Sequence, residues 1–128
     1  MLPRRGAVVW LTVPVPDPRG KNPKSRRVVV VSASTDIRAD PDHIVVACAT
    51  ASPTDPDDPT LVRIKAAGRP NNATGFTRPT WVNTDWLRIV SADMIDRIAG
   101  KIAGEELAEI IEKIQRYGES GPSVEPSG

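Results

Sequence analysis

The chain has 128 residues, room for one ordinary domain with a modest core. Its 39% hydrophobic and 26% charged composition fits a globular fold and argues against a wholly disordered chain. A formal net charge of +1 says nothing for or against a nucleic-acid partner, and a near-neutral protein can still carry a local positive field.

Residues 7–13 (AVVWLTV) are β-branched and aromatic and predict a first strand. Pro14, Pro16 and Pro18 break it, and 14–25 (PVPDPRGKNPKS) predicts a polar loop of functional length. Residues 26–34 (RRVVVVSAS) predict a strand whose four valines are buried on both faces, and 43–51 (HIVVACATA) a second of that kind. Three prolines exclude regular structure from 53–59, and 60–66 (TLVRIKA) alternates as a half-exposed strand does. Residues 68–79 predict a loop, and 80–90 (TWVNTDWLRIV) a strand with a kink near Asp85. Ser91 reads as an N-cap, so a short helix is expected over 92–98, ended by Gly100. Residues 104–117 give the clearest helix, with Leu107, Ile110, Ile111 and Ile114 on one face and Gly118 as the stop. A Pro/Gly-rich tail over 118–128 is expected to be disordered. Strands followed by helices predict an antiparallel α+β fold with a small barrel-like sheet.

Five basic residues and no acid lie between Arg19 and Arg27, namely Arg19, Lys21, Lys24, Arg26 and Arg27. Such a run either tracks a nucleic-acid backbone or is a solvated loop. Trp81 and Trp86 either stack on unpaired bases or fill the core, and Trp10 is expected in the core. Asp85 stands between Trp81 and Trp86, where desolvation would raise its pKa and suit acid–base work; otherwise it is a turn aspartate. His43, the one histidine, is expected to be structural or solvent-facing. Cys48 reads as a buried small hydrophobe, and a single cysteine fits a reducing cytoplasm. Asp55, Asp57 and Asp58 lie in an irregular loop, and no metal site is expected there. Neither a signal peptide nor a membrane span is expected.

Five ordered segments carry a family resemblance: RRGAVVWLTV (4–13), RRVVVVS (26–32), VVACATAS (45–52), NTDWLRIVS (83–91) and MIDRIAGKIAGEELAEIIEKI (94–114). Together the chain resembles the PemK/MazF toxins of type II toxin–antitoxin systems, over nearly everything from Arg4 to Tyr117. The resemblance implies a toxin domain over 1–117 with an SH3-like barrel and attached C-terminal helices, as in CcdB. It implies a cytoplasmic homodimer that cleaves single-stranded RNA without metal or cofactor, leaving a 2′,3′-cyclic phosphate and a 5′-OH. A cognate antitoxin would neutralise it. By position, Arg26 falls on the family's catalytic arginine, Thr50 on its phosphate-binding threonine, and Asp85 on an aspartate some members use. Arg19, Lys21, Lys24, Arg27 and Trp81 would contact RNA. Arg27 stands where the family has proline, Trp86 where it has glutamine, and the 14–25 loop lacks the family's glutamate. That last difference leaves open a non-catalytic reading: a CcdB-like gyrase inhibitor, or an inactive RNA- or protein-binding member of the fold.

Overall fold

The computed structural model describes residues 2–124. In chain order it gives β1 (Ala7–Leu11), β2 (Arg27–Val30), α1 (Ser34–Ala39), β3 (Ile44–Thr50), β4 (Leu61–Ile64) and β5 (Thr80–Val90). A single 3-10 turn (Ala92–Met94) leads into β6 (Ile95–Lys101), then α2 (Gly104–Tyr117) and β7 (Ser120–Ser123). Six strands form one antiparallel sheet in the order β4-β5-β3-β2-β1-β6, and β7 adds in parallel to β5. The expected α+β class holds, but the sheet is not closed into a barrel: β4 and β6 stand at its two ends. The 66–79 segment runs from β4 toward β6 and lies against it, with Lys101 N–H donating to Ala73 O at 2.9 Å. That contact needs glycine on both sides. A Cβ on Gly75 (φ +77°) would sit 2.4 Å from Ala99 O, and one on Gly100 would sit 2.4 Å from Ala73 O.

The valine run behaves as its composition predicts. Val29 and Val31 pack into one cluster with Val8, Ala47 and Ile110, while Val28 and Val30 pack on the opposite face with Val9, Cys48 and Trp86. Alternation along a strand explains the split, and both faces are covered. The first cluster is roofed by α2, through Leu107, Ile111 and Ile114, and by Phe76 of the 66–79 segment. The second is covered by Ile37 of α1 and by Val15.

Several local expectations change. Arg26 lies just before β2 rather than inside it, and Ser34 opens α1, a six-residue helix too short to display periodicity in the sequence. The helix expected over 92–98 is only the 3-10 turn, because residues 95–101 pair with β1 and tertiary pairing overrides a local cap signal. Ser91 makes no capping bond to the backbone; its hydroxyl bonds the Asp93 carboxylate instead. Gly100 is part of β6. The tail is not without structure throughout, since Ser120–Ser123 pairs with β5 and Val124 N–H donates to Ile89 O at 2.8 Å. Its last residues, 125–128, lie outside the described ones. Among the described residues no helix is long and apolar enough to cross a membrane.

Candidate functional site

The loop between β1 and β2 is an organised hairpin. Val15 and Lys24 exchange backbone hydrogen bonds, and Val15 is fully buried. Asp17 ties the tip: its carboxylate accepts from the backbone N–H groups of Arg19 and Lys21, each at 2.9 Å, and from the Asn22 amide. Those bonds, that of Lys21 first, hold its pKa below the ordinary carboxylate value. A segment that reads as a loose polar loop therefore has a fixed path past the start of β2.

Arg26 leaves that hairpin with its guanidinium half-buried. Nε–H donates to Val15 O at 3.1 Å, and the guanidinium carbon lies 5.0 Å from the centroid of the Trp86 ring. The β2–β3 register pairs Val28 with Cys48; continued two residues, it sets Arg26 beside Thr50. Thr50 ends β3, and its Oγ1 accepts the Ser52 backbone N–H at 3.1 Å. That bond occupies a lone pair and leaves the hydroxyl hydrogen for another acceptor.

Two cavities meet at this point, of about 570 Å³ and about 310 Å³. Lys24, Arg26, Thr50 and Ser52 line both and form the wall between them. The larger also has Asn83 and Trp86 on one side and the carboxylates Asp17, Asp55 and Asp58 around it. Asp58 is held ionised to lower pH by the Thr60 N–H and hydroxyl, which donate to it at 2.9 and 2.8 Å. The smaller is lined by four cations, Lys24, Arg26, Arg27 and Arg78, and by no carboxylate.

The structure thus brings together Arg26, Thr50, Lys24 and Arg27 of the sequence candidates. Arg19 and Lys21 are exposed and line neither cavity. Trp81 is opposite Thr50 in the β3–β5 ladder, under the Arg63 guanidinium at 5.9 Å, and lines neither cavity. Asp85 is exposed rather than desolvated, and it too lies outside both cavities. A bulge is the cause. Val82 pairs with Ala49 and Leu87 with Ala47, so residues 83–86 stand opposite Cys48 alone. The extra residues reverse the alternation and turn Trp86, not Asp85, toward Arg26.

Ser52, Asn83 and Arg78 are site residues that the sequence did not single out, and Trp86 reads there only as a base-stacking or core residue. Only Arg78, a basic residue two places after Phe76 in a long loop, offered a local signal. His43 is exposed and hydrogen-bonded to Asp40 at 2.9 Å, away from both cavities. The Cys48 thiol is buried and its pKa is pushed up to about 12 by desolvation, so it is no nucleophile at neutral pH. Among the described residues no three metal-ligating side chains cluster.

A family model described as "PemK-like, MazF-like toxin of type II toxin-antitoxin system" matches residues 4–117. Solved structures share the fold at low identity. An endoribonuclease from Mycobacterial species superposes with a TM-score of 0.65 at 17% identity, covering 91% of each chain. The Mycobacterium tuberculosis toxin MazF-mt6 gives 0.62 at 18%, covering 87% of this chain and 94% of that one. A Mycobacterial endoribonuclease in complex with its cognate antitoxin gives 0.64 at 16%, covering 90% and 93%. No curated protein matches the chain.

Proposed function

The chain belongs to the PemK-like, MazF-like toxins of type II toxin–antitoxin systems, and from that premise we propose that it is an endoribonuclease cleaving single-stranded RNA without a metal. The observation that carries this reading is the wall shared by the two cavities, where Arg26 and Thr50 stand side by side. A phosphodiester on that wall has a guanidinium fixed in pose and a hydroxyl hydrogen free to donate.

RNA supplies its own nucleophile. The 2′-oxygen bonds to phosphorus, the bond from phosphorus to the 5′-oxygen breaks, and a cyclic phosphate and a 5′-hydroxyl result. Arg26 neutralises the charge that grows on the phosphoryl oxygens, and its planar fork suits two of them. Thr50 adds a neutral donor. Asp55 and Asp58, on the wall of the larger cavity, are the carboxylates on hand to take the 2′-hydroxyl proton, which must reappear on the leaving 5′-oxygen. Asp85 has no step in this scheme, since it lines neither cavity.

The working form in this reading is a homodimer in the cytoplasm. The exposed apolar side chains Leu2 and Ile98, at or near β6, an end strand of the sheet, support a covering partner. An antitoxin would silence the toxin by laying an acidic, partly disordered segment over the cationic wall and the 19–27 hairpin.

The test is incubation of the purified protein with unstructured RNA in EDTA, with mapping of the new 5′ ends. Cleavage by the native protein and loss of at least 100-fold in Arg26→Ala is the expected result. No cleavage above the Arg26→Ala level removes the nuclease reading. It would favour the second reading, a gyrase inhibitor or inactive member of the fold, which the lack of a glutamate in loop 14–25 and the three hydrogen bonds already made to the Asp17 carboxylate support.

A further inference from the structure

We propose that the smaller cavity is a second phosphate site, in which Arg27 and Arg78 hold the backbone phosphate next to the one gripped by Arg26 and Thr50. The proposal rests on the nuclease reading and adds to it a substrate requirement: a charged linkage on one defined side of the scissile bond.

The lining is the first reason. Its four cations are joined by hydroxyls from Ser25, Thr77 and Thr80, with no carboxylate among them. The larger cavity, by contrast, has three aspartates. None of the salt bridges among the described residues involves Arg27 or Arg78. An anion that relieves this concentration of charge must therefore come from outside the chain.

The second reason is preorganisation. Arg27 is placed before any ligand arrives. Its Nη1 donates to Gly75 O, its Nη2 to Thr77 Oγ1 at 3.4 Å, and its guanidinium lies 4.8 Å from the Trp10 ring centroid and 5.7 Å from that of Phe76. Burial first, and the nearby charge of Arg78 second, push its pKa down. A purely structural Arg27, clipping the 66–79 segment to β2, would account for its own bonds. It would not account for Arg78, which is exposed and whose side chain makes no hydrogen bond among the described residues.

The third reason is continuity. Because the two cavities share a wall, a chain with its scissile phosphate on Arg26 has both within reach of its neighbouring nucleotides. At about 310 Å³ the smaller has the size of a small-ligand pocket.

The experiment measures binding of 2′-O-methyl oligoribonucleotides, which lack the attacking hydroxyl, to the native protein and to Arg78→Gln across a range of salt. Arg78 is exposed, and a matching thermal melt confirms that the variant is folded. One oligonucleotide is fully charged. Two others carry a single neutral methylphosphonate, one on each side of the mapped cleavage position. The expected loss in Arg78→Gln is roughly 0.7 in the slope of log affinity against log salt, the value for one single-strand phosphate. One of the two neutralised oligonucleotides should show the same loss with native protein and no further loss in the variant.

Equal slopes for native protein and variant, beside normal cleavage by the native protein, overturn the second site and leave the nuclease reading intact. So does continued sensitivity to Arg78→Gln with both neutralised oligonucleotides. Unchanged RNA slopes with weakened binding of an acidic peptide overturn it in favour of a carboxylate ligand. No binding of any oligonucleotide overturns it together with the nuclease reading.

Discussion

Arg26 rests on Trp86: the guanidinium carbon is 5.0 Å from the ring centroid, while its Nε–H is held by Val15 O at 3.1 Å. The ring is buried, and its indole Nε1–H has no acceptor among the described residues. The stacking surface, not the indole donor, is therefore what the site uses. A cation over an aromatic face is worth about 0.5–2 kcal/mol, and an orphaned buried donor costs about 1–3 kcal/mol. Trp86→Phe should keep cleavage within a few-fold and cost little stability, because it keeps a ring and removes the orphan. Trp86→Leu should lower kcat by about tenfold with a smaller change in KM. Equal loss in both variants would show that the ring does not set the guanidinium's pose.

Asp85 should be dispensable and the carboxylates of the larger cavity should not. In steady-state cleavage assays Asp85→Asn is expected to stay within about twofold of native activity, since its side chain lines neither cavity. Asp55→Asn or Asp58→Asn should lose about 10²-fold or more, the scale of a lost general base. The reverse ranking would return the base to the bulge.

Cys48 gives a pH signature of folding. Its thiol titrates near 9 when exposed and near 12 when folded. The folded state therefore holds its proton over a range in which the unfolded chain has lost it. Stability is unaffected below about pH 9 and falls as pH rises from there toward 12, by up to about 1.4 kcal/mol per pH unit from this group. Chemical denaturation at pH 8 and pH 10, in native protein and in Cys48→Ala, checks it: the alanine variant should lose less between the two. Thiol reagents should label Cys48 at neutral pH only as fast as the protein opens.

Gly75 holds the loop that carries Thr77 and Arg78. At φ +77°, with a Cβ destined to meet Ala99 O at 2.4 Å, Gly75→Ala must both strain the turn and push the segment off β6. A loss of about 2–3 kcal/mol is expected from thermal melts. An unchanged melting temperature would mean that the segment does not brace β6.

The β6 edge tests the dimer. Ile98 is 51% exposed on an end strand of the sheet, so Ile98→Glu should cost the folded protomer less than about 0.5 kcal/mol. Sedimentation should show the native chain as a dimer and the variant as a monomer. A native monomer at micromolar concentration would sink the dimer proposal.

The long elements were legible because their signals are local. Four consecutive valines demand two apolar neighbours, and the apolar face of 104–117 repeats with the helical period; both needed only the chain itself. Short elements were not. The six residues of α1 carry no period, and Ile95–Lys101 became a strand only because β1 offered an edge to pair with.

By itself the sequence determined the α+β order and the family, since these follow from patterns along single strands and from matching segments; the β2–β3 register then set Arg26 beside Thr50. Tertiary structure alone decided which residues stand around that pair. A bulge of unmarked composition at 83–86 reversed the alternation, turned Asp85 to solvent and Trp86 under the guanidinium, and a loop distant in sequence brought Arg78 to Arg27. Strand phase changes with one inserted residue, and no local propensity records the insertion.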